Sequence, residues 1–196
     1  MILYFDTETT GLHPGQICQL SYIMQTGDNL LSRNFFFKVD NVEYSAFMVH
    51  GFSVDRLEKL SGGKTFSNYI DIIEKDFLSA DVVVSHNFAF DNMFMRAEFE
   101  RLNKDFFVKR EFCSMKKSTP LCQLKRKMGE GYKYPKLSEL CSFLGISDAE
   151  ILNASEEIFG AKTGFHDARF DTTALCLAVN RAVKYTDAFN CLSEFI

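Results

Sequence analysis

The chain has 196 residues, of which 46% are hydrophobic and 24% charged. That suits one globular unit with a real core, or at most two small ones. No apolar run approaches a membrane span and no basic leader precedes the apolar start, so the expectation is a cytoplasmic protein with no membrane partner. The net charge of −4 argues only weakly against nucleic-acid binding, because distribution matters more than the sum.

Ile2 to Phe5 form an apolar run that turns abruptly polar, which predicts a first strand ending near Glu8. Ile17–Thr26 and Leu30–Val39 read as two further strands, with Gly27, Asp28 and Asn29 as a hairpin signal between them. Short helices are expected at Ala46–Gly51 and Asp55–Leu60, followed by a break at Gly62 and Gly63. Phe66, Ile70, Ile73 and Phe77 recur at helical spacing and predict a helix over Phe66–Leu78. Asp81–Ser85 contains three consecutive valines and reads as a buried strand. A helix over Asn92–Leu102 and a strand over Phe106–Phe112 follow, and Ser114–Tyr134 has no legible periodicity.

Further helices are expected at Leu137–Leu144, Ala149–Phe159 and Asp171–Tyr185. In the last, Ala174, Leu177, Ala178 and Arg181 share a face. Hairpin strands followed by alternating helices and strands predict an α/β fold with a mixed sheet flanked by helices.

Cys18, Cys113, Cys122, Cys141, Cys176 and Cys191 show no CxxC spacing. They read as free, mostly buried thiols and not as a zinc site or disulfide frame. Half of all Lys and Arg lie between Arg101 and Lys136, against three acids. Such a run suits phosphate contact, and equally a solvated face.

Three segments carry candidate chemistry. Asp6 and Glu8 stand two apart at a strand end, so period-two geometry turns both carboxylates to one side. A divalent cation would relieve their repulsion, although the pair alone also fits a charged turn. Leu12, after the turn through Gly11, suits a wedge beside a terminal base or an ordinary buried leucine. Asp91 follows the valine strand near a helix start, where an N-cap is the plainer role. His86 and Asn87 lie in the loop before it. His166 precedes the last helix and Asp171 opens it. A loop histidine can accept a proton at neutral pH, or brace the backbone. Phosphodiester hydrolysis needs this whole set: four carboxylates for two Mg²⁺ or Mn²⁺ ions about 3.5–4 Å apart, and a base.

FDTETTGL at 5–12, HNFAFDNMFM at 86–95 and HDARFDTTAL at 166–175 together resemble the motifs of the DnaQ-like, DEDD-type 3′–5′ exonucleases. The His-containing subclass, with the proofreading epsilon subunits, is the nearest in pattern. His50 and Gly51 lie where epsilon-like proteins often carry the pair HG. The likeness covers roughly residues 1–185 as an exonuclease domain and leaves 186–196 as a C-terminal tail. It implies a ribonuclease H-like fold. Asp6, Glu8 and Asp171 are implied to hold the metal nearer the attacking water. Asp6 would bridge to a second metal held by Asp91, and His166 would be general base. Thr7, Thr9 and Leu12 are implied to hold the terminal nucleotide, with His50, Asn87 and Phe88 as further substrate contacts.

The expected substrate is a DNA 3′ end, single-stranded or frayed, with RNA as the main alternative. A catalytically silent binding or polymerase-bracing protein is the other reading. A DNA polymerase is a candidate partner, and a homo-oligomer through the basic middle region stands open.

Overall fold

The computed structural model describes residues 1–164 and 166–196. Its centre is β1 (Ile2–Thr9), which pairs antiparallel with β2 (Ile17–Thr26), itself antiparallel to β3 (Asn29–Phe36). On its other side β1 runs parallel to β4 (Val82–Ser85), which is parallel to β5 (Glu111–Cys113). The sheet order is β3-β2-β1-β4-β5. The β2–β3 turn is two residues long, with Thr26 opposite Asn29 and Gly27 at φ 56°, a conformation glycine adopts without a Cβ clash.

Alternation along β1 divides the interior into two layers. Leu3 and Phe5 face one side, against helices α3 (Ile70–Ser79) and α4 (Phe88–Arg101), in a core rich in phenylalanine. There Phe5 meets Phe77 edge-on with ring centroids 5.3 Å apart, and Phe77 meets Phe106 in the same way. Ile2 and Tyr4 face the other side, against Leu175 and Val179 of α8 (Ala168–Val183) and against Phe189 and Leu192. The last two belong to a 3₁₀ segment, Asp187–Phe195. Both are fully buried, about 1.5–3 kcal/mol each, so the end of the chain packs into this layer. Helices α6 (Leu137–Phe143) and α7 (Asp148–Phe159) pack on α8 through Leu140, Ile151, Ala174 and Ala178. Arg181, on the same face, pairs with Glu150 at 2.5 Å. The short helices α1 (Tyr44–His50) and α2 (Val54–Ser61) close the end of the sheet where β1 finishes.

Several expected boundaries shift: the last helix runs Ala168–Val183 and not Asp171–Tyr185, and the expected helix over Phe66–Leu78 opens with a 3₁₀ turn, Phe66–Tyr69. The third strand ends at Phe36 and not Val39. The helix after β4 begins at Phe88, four residues early, with Asn87 at its N-cap. Of the expected strand 106–112 only Glu111 and Phe112 pair in the sheet, in a strand that runs on to Cys113; Phe106 instead fills the aromatic core. The illegible stretch yields α5 (Ser114–Cys122), whose Pro120 lies in its last turn, and an antiparallel bridge between Lys125 and Tyr132.

Cys18, Cys141 and Cys176 are buried, Cys113 and Cys122 half-buried and Cys191 exposed, all as free thiols. No helix among the described residues is long and apolar enough to cross a membrane.

Candidate active site

The layering of β1 also sorts its polar end. Asp6 and Glu8 continue the face of Ile2 and Tyr4, toward α8, and Asp171 stands in the first turn of that helix. One carboxylate oxygen from each of the three lies within 4.8 Å of the others. Thr7, on the opposite face, reaches α4: its hydroxyl donates to Asp91 Oδ1 at 2.7 Å. Ser85, the last residue of β4, donates to Asp91 Oδ2. Strand end, strand end and two helix starts thus bring four distant carboxylates together. Asp6, Glu8, Asp91, Asp171 and His166 line one cavity of about 220 Å³, with Asn87, Phe90 and Leu137.

No side-chain hydrogen bond or ion pair from the described residues reaches Asp6, Glu8 or Asp171. Burial, then the charge of Asp171, with Asp91 and Glu8 adding, pushes the Asp6 carboxyl well above its ordinary range. Burial, then Asp171 and Asp167, does the same to Glu8. Burial followed by Asp167 lifts Asp171 to about 7. Burial lifts Asp91 to about 6 despite the opposing hydrogen bonds from Ser85 and Thr7. Four carboxylates held this way favour either protonation or a cation. The donors are all oxygen, a set that fits a hard divalent ion.

His166 is exposed, in the turn before α8, with φ 58°. That region is sparsely populated for residues with a Cβ, although histidine visits it more readily than most. Asp167 beside it caps α8, its side chain accepting from the Arg169 backbone N–H at 3.0 Å. It also takes the Arg169 guanidinium, with contacts of 2.9 and 2.6 Å, and Gln19 Nε2 at 2.9 Å. Burial works against the Asp167 charge, but these partners outweigh it and lower its pKa.

A second, more apolar cavity of about 280 Å³ opens beside the first. It is lined by Thr7, Glu8, Thr9, Gly11, Leu12, Val49, His50 and Phe90, among others. Leu12 is 69% exposed. The Thr9 hydroxyl donates to Gly11 O at 2.8 Å. His50 Nδ1 accepts from the Phe52 backbone N–H at 3.0 Å, so Nε2 carries the proton and donates to Thr9 O at 3.2 Å. Burial lowers the pKa of His50, in keeping with this neutral tautomer. His50 therefore braces the cavity wall. His86 is likewise bound on both ring nitrogens, to Ser114 Oγ and Pro135 O, each at 2.9 Å, and burial lowers its pKa to about 4.

The two cavities hold every expected site residue except one. Phe88 is buried against Phe5, with ring centroids 6.0 Å apart, and does not line either cavity. Because α4 starts at Phe88, a two-residue step turns roughly 200° around the helix. Phe90 thus faces both cavities where sequence reading had placed Phe88. Sequence reading also missed Asp167, Ser85 and Gln19. An Asp just before a helix start was the available signal for the first.

A central strand flanked by an antiparallel hairpin and two parallel strands, with carboxylates at its end, is the arrangement of a ribonuclease H-like fold. The chain superposes on the zinc-bound form of the E. coli ExoI–ssDNA complex with a TM-score of 0.71 and 16% identity, covering 98% of this chain and 42% of that one. The metal-free form of the same complex gives 0.70. The sequence is 31% identical over 183 residues to the DNA polymerase III subunit epsilon of Escherichia coli K12, covering 88% of this chain and 67% of that protein. It is 31% identical over 169 residues to its counterpart in Salmonella typhimurium, covering 81% and 64%. No family model matches the chain. The chain spans about two thirds of the length of these epsilon subunits. It belongs to the DnaQ-like, DEDDh family of 3′–5′ exonucleases.

Proposed function

We propose that this chain removes nucleotides from the 3′ end of DNA, preferring single-stranded or frayed ends, and releases nucleoside 5′-monophosphates. The observation that carries the reading is the cluster of Asp6, Glu8 and Asp171, which has no cation partner among the described residues and lies on one cavity with Asp91 and His166. DNA is favoured because the relatives are subunits of a DNA polymerase and the fold neighbour is an ssDNA complex.

Asp6, Glu8 and Asp171 would hold one divalent cation, and Asp91 with Asp6 a second; Mg²⁺ and Mn²⁺ both suit oxygen donors. When bound, such ions make water a nucleophile at neutral pH and neutralise charge developing on the phosphate. His166 accepts the proton of the attacking water, which its exposed turn position allows. Thr7 and Ser85 fix the rotamer of Asp91. The apolar cavity takes the terminal nucleotide: Leu12 and Phe90 contact its base or sugar, while Thr9, held by His50, shapes the wall. Asn87, exposed at the start of α4, contacts the phosphate. The leaving group is the 3′ oxygen of the penultimate nucleotide. A DNA polymerase is the proposed protein partner and the cytoplasm the proposed location.

The test uses sequence-matched single-stranded DNA and RNA, labelled at the 5′ end, with Mg²⁺ or Mn²⁺. The expected result is a ladder shortening from the 3′ end, faster on DNA, and abolished by EDTA. A faster RNA ladder would move the substrate to RNA. Intact label in every lane, from folded protein, would overturn the enzyme reading and leave a silent binding protein.

A further inference from the structure

Residues 114–136 hold seven cations and one acid, Glu130, whereas the remaining 173 residues hold fifteen cations and twenty-five acids. The structure divides the basic run between Arg101 and Lys136 into two populations. Arg101, Lys104, Lys109, Arg110 and Lys133 are ion-paired, with Glu98, Glu74, Asp81, Glu194 and Glu139. Asp81 also pairs with the chain's N-terminus, so part of this population lies where β1 begins, at the far end of the sheet from the carboxylates. Lys116, Lys117, Lys125, Arg126 and Lys127 come after β5 has crossed to the carboxylate end. All are exposed, and none has an ion pair among the described residues.

Three of these five sit on a hairpin. Lys133 N–H donates to Leu124 O at 2.8 Å, Lys125 bridges Tyr132, and the tip turns through Gly129 and Gly131, with φ 79° and 88°. The arm also presents Met128, Tyr132 and Tyr134 to solvent, at 88%, 41% and 59% exposure. Its root is tied to the site. Pro135 O accepts from His86 in the loop that precedes Asp91, and Leu137, two residues on, lines the cavity of the carboxylates and His166.

We infer that the arm over residues 123–134 binds the nucleic-acid strand a few nucleotides upstream of the 3′ end, Lys125, Arg126 and Lys127 meeting phosphates and the exposed tyrosines offering faces to bases. The inference rests on the exonuclease reading for its polarity. Unpaired cations interleaved with aromatic side chains are what sequence-tolerant single-strand binding requires. On a chain that is otherwise acidic, this surface is where a polyanion is attracted.

The test is binding of fluorescent oligodeoxynucleotides of about 16 and about 4 nucleotides, followed by anisotropy over a salt series, with Ca²⁺ replacing Mg²⁺ to prevent turnover. The protein carries K125Q with K127Q, which spares the Arg126 Nε contact to Tyr132 O at 3.1 Å. The expected result is about tenfold weaker binding of the long oligonucleotide, a salt slope reduced by roughly 1.4, and an unchanged short one. The charge-preserving pair K125R with K127R restores the wild-type values. Equal affinity and slope for the wild type and the K125Q/K127Q protein would overturn the inference, as would an equal loss on both lengths. Wild-type protein that shows this arm dependence but never shortens DNA would overturn the exonuclease reading and leave the arm in place.

Discussion

Asp76 and Asp6 are both carboxylates within the fold, and the protein treats them in opposite ways. Asp76, on α3, accepts from the Tyr22 hydroxyl at 2.9 Å and from Arg33 Nε at 2.6 Å. Glu98, on α4, is similarly supplied by the Ile17 N–H and by Arg101, each at 2.8 Å. Asp6, with Glu8 and Asp171 around it, receives no such donor from the described residues. A buried charge without partners costs several kcal/mol, and packing alone does not recover that. The first pair are carboxylates completed by the protein; the second are carboxylates left for something outside it. Where the partner is absent, not where the acids are most numerous, the site is found.

Exchanging amides for acids in both places separates the two carboxylates most clearly. Asp6→Asn is expected to lower kcat about 10⁴-fold, through weakened cation binding. It is also expected to raise the thermal midpoint in EDTA, since one repelling carboxylate is gone. Asp76→Asn should do the reverse, losing stability because Arg33 is left without its partner, with kcat kept. Calorimetric scans beside rate measurements check both, and parallel behaviour of the two variants would dissolve the distinction.

Next in size is His166→Ala, expected to lower kcat about 10³-fold with fold and oligonucleotide affinity retained. A drop in affinity equal to the drop in rate would place the imidazole in binding instead. Phe90→Ala and Leu12→Ala are expected to raise KM about tenfold with kcat nearly kept, read by steady-state kinetics on short DNA.

The smallest effect concerns pH. Asp91 and Asp171 have folded-state values of about 6 and about 7, above their ordinary 3.8. The folded state then binds more protons than the unfolded state across this window. Stability of the metal-free protein therefore falls as pH rises from about 4 to 7. Urea unfolding in EDTA at several pH values should show that slope, and Mg²⁺ should flatten it. A rise in EDTA over the same window would show that these carboxyls are not raised in the folded state.

Much of this was legible in the sequence, because the strongest signals are local. Strand alternation placed Asp6 and Glu8 on one side of β1, and the helical spacing of Ala174, Leu177, Ala178 and Arg181 located the face of α8 that meets α6 and α7, though not the Leu175 and Val179 face against the sheet. Spacing could not show that Phe90, and not Phe88, faces the site, because that depends on where α4 begins. Nor could it show that His50 and His86 are spent on backbone and hydroxyl partners distant in sequence. The basic run was visible as a run. Its division into paired and unpaired cations depended on acids as far away as Glu74 and Glu194.

On the proposed reading, the carboxylates at the end of β1 and the start of α8 hold divalent cations. Calorimetric titration of Mn²⁺ into the wild-type chain near pH 7, repeated in two buffers of different protonation enthalpy, tests it most directly. The expected result is saturable binding with protons released from the raised carboxyls, and loss of that binding in Asp6→Asn. Folded protein that takes up no Mn²⁺, or binds it unchanged in Asp6→Asn, would contradict it.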